Sequence, residues 1–231
     1  MKTKNNKMKR IITLLLLAIS VQTFAQRTID KEVGNFHAVK VFDLIEVNLI
    51  QSDENRILIK GWNVDDIKWV NKDGVLKLRM QLDKKFTGED TFIEVYYTDL
   101  DVIDANEGAQ ITCNEMVKKN KIELRAQEGA QIKIGMDVAI AEIRAVTGGI
   151  IEASGLAENQ SIVINTGGIF EGSDLRTSNS DIKISAGGEA EVFASERVNI
   201  DVKAGGDVVV YGKPKYVNKK TFVGGRIRIV D

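Results

Sequence analysis

Pairs of small residues recur along the second half of the chain at a nearly constant interval. Successive pairs are separated by 21, 19, 19, 20, 18 and 19 residues, and they lie at Gly108-Ala109, Gly129-Ala130, Gly148-Gly149, Gly167-Gly168, Gly187-Gly188, Gly205-Gly206 and Gly224-Gly225. A period near twenty residues is the sequence signature of a solenoid, in which each repeat stacks on its neighbours. This interval therefore constrains the fold more than any other feature of the chain.

Apolar residues alternate with polar ones on both sides of each small pair. One column precedes the pair at Ile103, Leu124, Ile143, Ile162, Ile182 and Ile200, and another follows it at Ile111, Ile132, Ile151, Phe170, Ala190, Val208 and Ile227. Apolar positions two residues apart indicate strands with one buried face. A strand–helix–strand unit needs about 30 residues, more than one period supplies. Each period is therefore interpreted as a strand, a glycine corner, a second strand and a polar return.

Stacked units of this kind predict an all-β fold, a right-handed parallel β-helix with about 19–20 residues per coil. We expect residues 105–231 to form the regular repeats. Residues 26–104 show apolar alternation without a fixed period, and turn signals such as Asp73-Gly74 interrupt it. They are predicted to form irregular β coils that are continuous with the solenoid and cover its end, because an open last layer would leave an exposed strand edge.

Residues 1–25 have the organisation of a secretory signal peptide. Five Lys and Arg residues precede the apolar run Ile11–Val21, and Thr23-Phe24-Ala25 supplies a cleavage site. The apolar run is about 11 residues long, whereas a membrane-spanning helix needs about 20. We therefore expect export to the periplasm or the outer cell surface, with no transmembrane segment in the mature chain.

The charge of the mature chain narrows the classes of partner. Loss of residues 1–25 leaves 27 of the 32 Lys and Arg residues against 33 Asp and Glu, a net charge of −6. Such a chain lacks the basic character that nucleic-acid binding requires. The single His and the single Cys exclude a His-rich metal site, an intrachain disulfide and a Cys-based zinc site. We accordingly expect no nucleic-acid partner, no metal and no cofactor.

Several segments resemble the GIN-type head domain family of putative auto-transporter adhesins, which are secreted bacterial proteins. The segments that carry the resemblance are Phe36–Val41, Ile45–Val47, Asp73–Leu78 and Ile93–Val95, together with the Gly-Ala and Gly-Gly corners. The resemblance covers nearly all of the mature chain. It implies a β-helical fold and, from the name of the family, a role in adhesion.

Three glutamates in one outward column, Glu152, Glu171 and Glu191, are the candidate binding residues. On adjacent coils they would lie about 4.8 Å apart, and like charges in register repel each other. A cation or a basic partner would relieve this repulsion. The alternative is a solvated face on which Lys183 and Arg144 screen the acids.

Further candidates are apolar or aromatic. Four apolar residues are at outward positions: Val146, Ile150, Val163 and Ile169. Because exposed apolar clusters often mark interfaces, we expect these residues to contact a neighbouring subunit or to pack under an N-terminal loop. The aromatic residues of the N-terminal half either fill the core or form a platform for sugars; they are Trp62, Trp69, Phe86, Tyr96 and Tyr97. Cys113 shares an inward column with Ile134 and is predicted to be a buried hydrophobe.

Three functions are compatible with these patterns. The favoured one is a secreted, non-enzymatic, adhesin-like module that presents a rigid solenoid surface to a glycan or protein at the cell envelope. The second is a homo-oligomeric structural or accessory protein of the envelope. The third is a carbohydrate-active β-helix enzyme, but short returns of near-constant length leave little chain for an active-site wall, and no catalytic residue is assigned.

Overall fold

A computed structural model describes residues 27–230, so the signal peptide predicted at residues 1–25 lies outside the described part. The described chain is an all-β solenoid of about seven turns, which confirms the predicted fold class. Within residues 27–230, the structure contains no helix with the length and apolar character needed to cross a membrane.

The strands form an irregular N-terminal group and a periodic group. The first group comprises β1 (Thr28–Glu32), β2 (Ala38–Val41), β3 (Glu46–Gln51), β4 (Arg56–Gly61), β5 (Ile67–Lys72), β6 (Val75–Met80), β7 (Thr91–Tyr97) and β8 (Val102–Ala105), with 3-10 turns at Val64–Asp66 and Leu82–Lys84. The second comprises β9 (Gln110–Gln127), β10 (Gln131–Val146), β11 (Ile150–Asn165), β12 (Ile169–Gly172), β13 (Leu175–Ile184), β14 (Glu189–Phe193), β15 (Arg197–Ala204), β16 (Asp207–Tyr211), β17 (Tyr216–Val223) and β18 (Arg226–Ile229).

Equivalent positions of successive coils pair in parallel, as the period predicts. Ile132 pairs with Ile111 on one side and with Ile151 on the other. Each coil has three faces. The first face precedes the glycine corner (123–126, 143–146, 162–165, 182–184, 200–202), the second follows it (110–113, 131–134, 150–153, 169–172, 189–192, 207–210), and the third connects the second to the next first face (116–122, 135–141, 155–161, 175–181).

The third face corrects the prediction of a polar return. In β9, β10 and β11 this segment is strand, continuous with the strands on either side. Its inward positions are buried; they are apolar in the earlier coils, as at Val117 and Met136, and polar at Gln160, Thr177 and Ser180, which hydrogen-bond to one another. The return is therefore a third wall of the core and contributes its own ladder of backbone hydrogen bonds.

The corners at Gly108, Gly129, Gly148 and Gly167 are tight turns whose two central residues both have positive φ. Glu128 has φ of 55° and Gly129 has φ of 74°, and the N–H of Ala130 donates to the carbonyl of Gln127 at 3.1 Å. Glycine accepts this conformation without a steric penalty. The N–H of Gly129 also donates to the carbonyl of Thr147 in the next coil, at 3.2 Å, so the turns stack on one another.

The N-terminal strands do not stack in sequence order. β2 lies between β6 and β8, and β3 lies between β7 and β9, so the later β6–β7 coil is outermost. Antiparallel strands then cover this outermost coil: β5 pairs with β6, β4 with β7, and β1 with β4. These antiparallel strands lie over the outer edges of that coil.

The core follows the inward columns along the whole stack. Its largest fully buried side chain is Phe170, and Cys113 is buried as predicted. Burial raises the pKa of the Cys113 thiol. The column that contains Ile182 and Ile200 ends at Lys219, which is exposed to solvent in the last coil.

Candidate functional site

The three candidate glutamates form a continuous column on the second face. Strand register places Glu152 beside Glu171 and Glu171 beside Glu191 in consecutive coils. Lys133, one coil closer to the N-terminus, forms an ion pair with Glu152, with 2.7 Å between Nζ and Oε1. Among residues 27–230, no cation pairs with Glu171 or Glu191. Two carboxylates of the column are therefore available to a partner.

The basic residues expected to screen this column lie elsewhere. Arg144 and Lys183 are both in register with Val163, which places them on the first face, before the glycine corner. The corner turns the chain between these residues and the glutamates. That part of the prediction is wrong, and the cation next to the column is Lys133.

A shallow cleft of about 230 Å³ runs along the acid column. Its walls also include Ile169, Asp174 and Glu189, and Glu189 lies beside Ile169 in the adjacent column. In the described part of the chain, no three His, Cys, Asp or Glu side chains are arranged to hold a metal ion. The carboxylates form a ladder along the surface, a shape that suits an extended basic partner better than a single ion.

The four apolar interface candidates fall into two pairs. Ile150 and Ile169 are in register on the second face and are half-buried. Because each precedes a glutamate of the acid column by two residues, the pair runs directly alongside that column. Val146, which is buried, and Val163, which is half-buried, lie on the first face across the corner. The structure thus brings two of the four candidates to the acid column and separates the other two from it.

The N-terminal aromatic residues divide between core and surface. Trp62 is 72% exposed and Phe86 is 57% exposed, whereas Tyr97 is buried with its hydroxyl 4.0 Å from the Cys113 sulfur. Burial raises the pKa of Tyr97. Trp69 is half-buried against the core. The guanidinium of Arg56 lies over the Tyr96 ring, 3.8 Å from the ring centroid. The Tyr96 hydroxyl donates a hydrogen bond to the Glu94 carboxylate at 2.9 Å. Trp62 and Phe86 are thus the two of the five that are open to a ligand.

The third face carries a groove that the sequence analysis missed. Its volume is about 550 Å³, and its walls include Lys119, Leu156 and Arg176. Leu156 is exposed, and the Arg176 guanidinium lies 4.3 Å from the ring centroid of Phe193. The available signal was the short alternation Met136-Asp137-Val138, because the equivalent segment 117–122 has apolar residues only at its two ends.

A pair of neighbouring acids near the capped end, one buried and one half-buried, was also missed. Asp43 is almost fully buried, and its Oδ2 accepts a hydrogen bond from the N–H of Met80 at 3.1 Å. Burial, together with the nearby charge of Asp43, raises the pKa of the Glu107 carboxyl. Both residues occupy corner positions with positive φ, so the stacking of corners brings the two carboxyl groups together.

Solved structures share the fold at low sequence identity. A putative adhesin from Bacteroides fragilis superimposes with a TM-score of 0.83 at 17% identity, covering 90% of this chain and 98% of the other. A putative adhesin from Parabacteroides distasonis has a TM-score of 0.71 at 17% identity, with coverages of 88% and 96%. A putative lipid binding protein from the same species has a TM-score of 0.69 at 16% identity, with coverages of 90% and 98%. At these identities the similarity establishes the fold.

The family is established by the sequence itself. Residues 35–214 match the family described as "Putative auto-transporter adhesin, head GIN domain". No curated protein matches the sequence significantly. Because the family match spans most of the chain, the protein belongs to this family.

Proposed function

We propose that this GIN-domain protein is an exported, non-enzymatic binding module that presents the second face of its solenoid to a glycan or protein partner at the cell envelope. The observation that carries the proposal is the in-register column Glu152–Glu171–Glu191, alongside the apolar pair Ile150 and Ile169. A ladder of charge beside a half-buried apolar strip is a surface with both polar and apolar contact groups.

The rigidity of the solenoid supports a binding role. Every coil is joined to its neighbours by parallel backbone pairing, so the outward side chains keep a spacing of about 4.8 Å. A surface that is already ordered loses little conformational entropy when it binds. The family match and the adhesin descriptions of the structural relatives agree with a role in binding.

The chemistry of the column favours a partner with basic groups. Like charges in register destabilise adjacent strands, and Glu171 and Glu191 have no cation beside them among the described residues. A partner that supplies amines or guanidinium groups at a strand-like spacing would neutralise both. Calcium at millimolar concentration should raise the melting temperature, because a cation reduces the repulsion between the carboxylates, and an unchanged melting temperature would contradict this part of the proposal.

The first experiment is accessibility on intact producing cells, measured by antibody labelling and protease shaving beside a periplasmic control. Labelled and shaved protein supports a partner outside the cell, to be sought on glycan and matrix-protein arrays. Protein that is protected until the envelope is opened points to a partner inside the envelope, to be sought by crosslinking.

Variants then test the face. The double variant Glu171→Lys and Glu191→Lys should abolish array binding, and Glu158→Lys, an exposed acid of the third face, should retain it. Equal binding by wild type, the double variant and Glu158→Lys would remove the second face from the proposal.

Glycan depolymerisation that an acid substitution abolishes would favour an enzyme. A multimer that Ile150→Asp or Ile169→Asp dissociates would favour the oligomeric envelope protein.

A further inference from the structure

The last coil of the solenoid has two open strand edges. β17 pairs with β15, and β18 pairs with β16. Within residues 27–230, no strand pairs with the other edge of either. An open edge presents unpaired N–H and C=O groups to solvent and is a template for a further strand. The opposite end of the solenoid is covered by antiparallel strands, so this feature is confined to one end.

The charge of this coil is opposite in sign to that of the molecule as a whole. Residues 213–230 contain no Asp or Glu, and their basic residues are Lys213, Lys215, Lys219, Lys220, Arg226 and Arg228. Two of them pair with the preceding coil: Arg226 with Asp207, and Lys215 with Glu196 at 2.8 Å. Lys219, Lys220 and Arg228 form no ion pair with any described residue. The open edges thus lie in a local positive field on an acidic protein.

One of these cations lies in the core column. Lys219 is in register with Ile200, and the residues of the same strand on either side of it, Val217 and Thr221, are in register with the buried Val198 and Val202. A strand added on top of β17 would therefore cover Lys219 as well as its apolar neighbours. A buried ammonium is strongly unfavourable unless a carboxylate pairs with it. The covering strand must carry that carboxylate.

The coil also exposes several large apolar side chains to solvent. Phe222 is 82% exposed and Tyr216 is 71% exposed, and Val217, Val223 and Ile229 are exposed as well. The coil thus offers open backbone groups, exposed apolar side chains and unpaired cations to an added strand. Backbone pairing supplies affinity, and alternate side chains supply specificity.

We propose that the outer edge of β17 accepts an extended strand of another protein whose inward side chains are apolar except for one carboxylate and whose outward side chains include further acids. The inward carboxylate pairs with Lys219, and the inward apolar side chains two residues before and after it cover Val217 and Thr221. The outward acids face the bases on the outside of the coil. The strand adds one layer to this face of the solenoid and satisfies the open backbone groups of β17.

Two other occupants fit the same surface less well. A second copy would place the same six bases opposite each other and two Lys219 ammonium groups in one interior, and an inward lysine is a known protection against edge-to-edge association. A lipid surface would neutralise the charge, but hydrocarbon cannot pair with the open N–H and C=O groups. Lys219 therefore selects against self-association and in favour of an acidic strand.

The test uses the mature protein and a synthetic eight-residue peptide with glutamate at the inward position opposite Lys219, valine at the other inward positions and one outward glutamate. Backbone hydrogen exchange is measured for residues 216–223 and 226–229 with and without the peptide, and the same peptide with lysine in place of each glutamate is the control. We expect the glutamate peptide to slow exchange at residues 216–223 and to leave residues 226–229 unchanged, the lysine peptide to have no effect, and added salt to weaken binding.

Two variants isolate the role of Lys219. Lys219→Glu should weaken peptide binding roughly tenfold or more through charge reversal. Lys203→Glu makes the same change of charge one coil earlier, at an exposed residue without an ion pair among the described residues, and should bind nearly as wild type. Because both side chains are exposed, both variants should retain the wild-type melting temperature. Lys219→Met, which removes the charge without reversing it, should give an intermediate affinity.

Four results would overturn the proposal. They are equal protection by the two peptides, no protection at millimolar glutamate peptide, unchanged binding by Lys219→Glu, and protection of residues 216–223 that appears without peptide. In the last case, a dimer by light scattering would identify a second copy, and dependence on anionic vesicles would identify a membrane. Because this surface is separate from the acid column, array binding that persists in Lys219→Glu would leave the proposed function standing.

Discussion

The two ends of the solenoid are finished by different means. At the N-terminal end, Ile57 and Ile59 of β4 are fully buried, since β1 and β7 pair with β4 on either side. At the other end, Val217 and Ile229 occupy equivalent inward positions and are exposed. The capped end combines both signs of charge in pairs such as Arg56 with Asp30, whereas residues 213–230 of the open end contain bases and no acid.

This difference shows that a repeating coil cannot cover the outer side of its own last layer. A parallel coil buries its neighbour but leaves its own outer side uncovered, so the stack ends only where the pattern changes. At the capped end the change is a reversal of strand direction in β4 and β5. At the open end the change is the inward Lys219. One device covers the core, and the other makes an uncovered core tolerable in water.

The largest test of the comparison removes equivalent side chains at the two ends. Ile59→Ala should lower the free energy of unfolding by about 2–5 kcal/mol, as expected for truncating a fully buried isoleucine. Ile229→Ala, at a residue that is 39% exposed, should cost less than about 1 kcal/mol. Urea denaturation of the mature proteins measures both. Similar costs would show that the open end is covered in solution.

The next test concerns the corners between the ends. The position after each turn is Ala109 and Ala130 near the capped end but Gly149 and Gly168 further along. A Cβ atom at Gly168 would overlap the carbonyl oxygen of Ala145 in the preceding coil. Gly168→Ala should therefore cost about 1–3 kcal/mol of unfolding free energy through overpacking.

Ala130→Gly is the matched control for that corner. It creates no overlap and should cost no more than about 1 kcal/mol, the usual penalty for added backbone freedom. A cost for Gly168→Ala as small as that for Ala130→Gly would show that the neighbouring coils lie far enough apart at this corner to accept a side chain.

A third test converts the open end toward the interior pattern. Lys219→Ile extends the column of Ile182 and Ile200 and should stabilise the last coil by less than about 1 kcal/mol. The same change should cause self-association that increases with protein concentration, because the inward charge is gone. Light scattering measures it. Lys203→Ile, at an exposed outward position, should remain monomeric under the same conditions.

The smallest expected effect depends on pH and lies at the capped end. The raised pKa of Glu107 means that the native state favours the protonated carboxyl. Its contribution to stability is complete below its unfolded pKa of about 4.3 and is lost as pH rises through the folded value. Glu107→Gln should therefore raise the melting temperature at pH 7.5 and change it little at pH 4. Glu128→Gln, an exposed acid at the next corner, is the control. A larger gain at pH 4 would contradict this sign.

The periodic half of the molecule was predictable because its neighbours are set by sequence distance. A residue such as Ile132 contacts the residues 21 positions before it and 19 after it, so the spacing of small pairs already gives the register. The same counting placed Glu152, Glu171 and Glu191 in one column and Cys113 in the core.

Side-chain partners and faces were harder to predict than columns. Counting from the small pair put Arg144 and Lys183 near the acids, but the corner between them turns the chain onto another face. The cation that pairs with Glu152 is Lys133, from the same column one coil earlier. The groove beside Arg176 was missed because its strands had been interpreted as returns.

The sequence by itself determined the coil, its period, its inward and outward columns and the acidic character of the second face, because each depends on contacts between residues a fixed distance apart. Only the tertiary structure decided that the β6–β7 coil lies outside β2–β3, that Asp43 meets Glu107, and that Lys219 ends the core at an open edge. These features arise where the period fails or stops. There, the strand that packs beside another is set by the burial of apolar side chains and by the pairing of backbone groups, because no repeat distance specifies it.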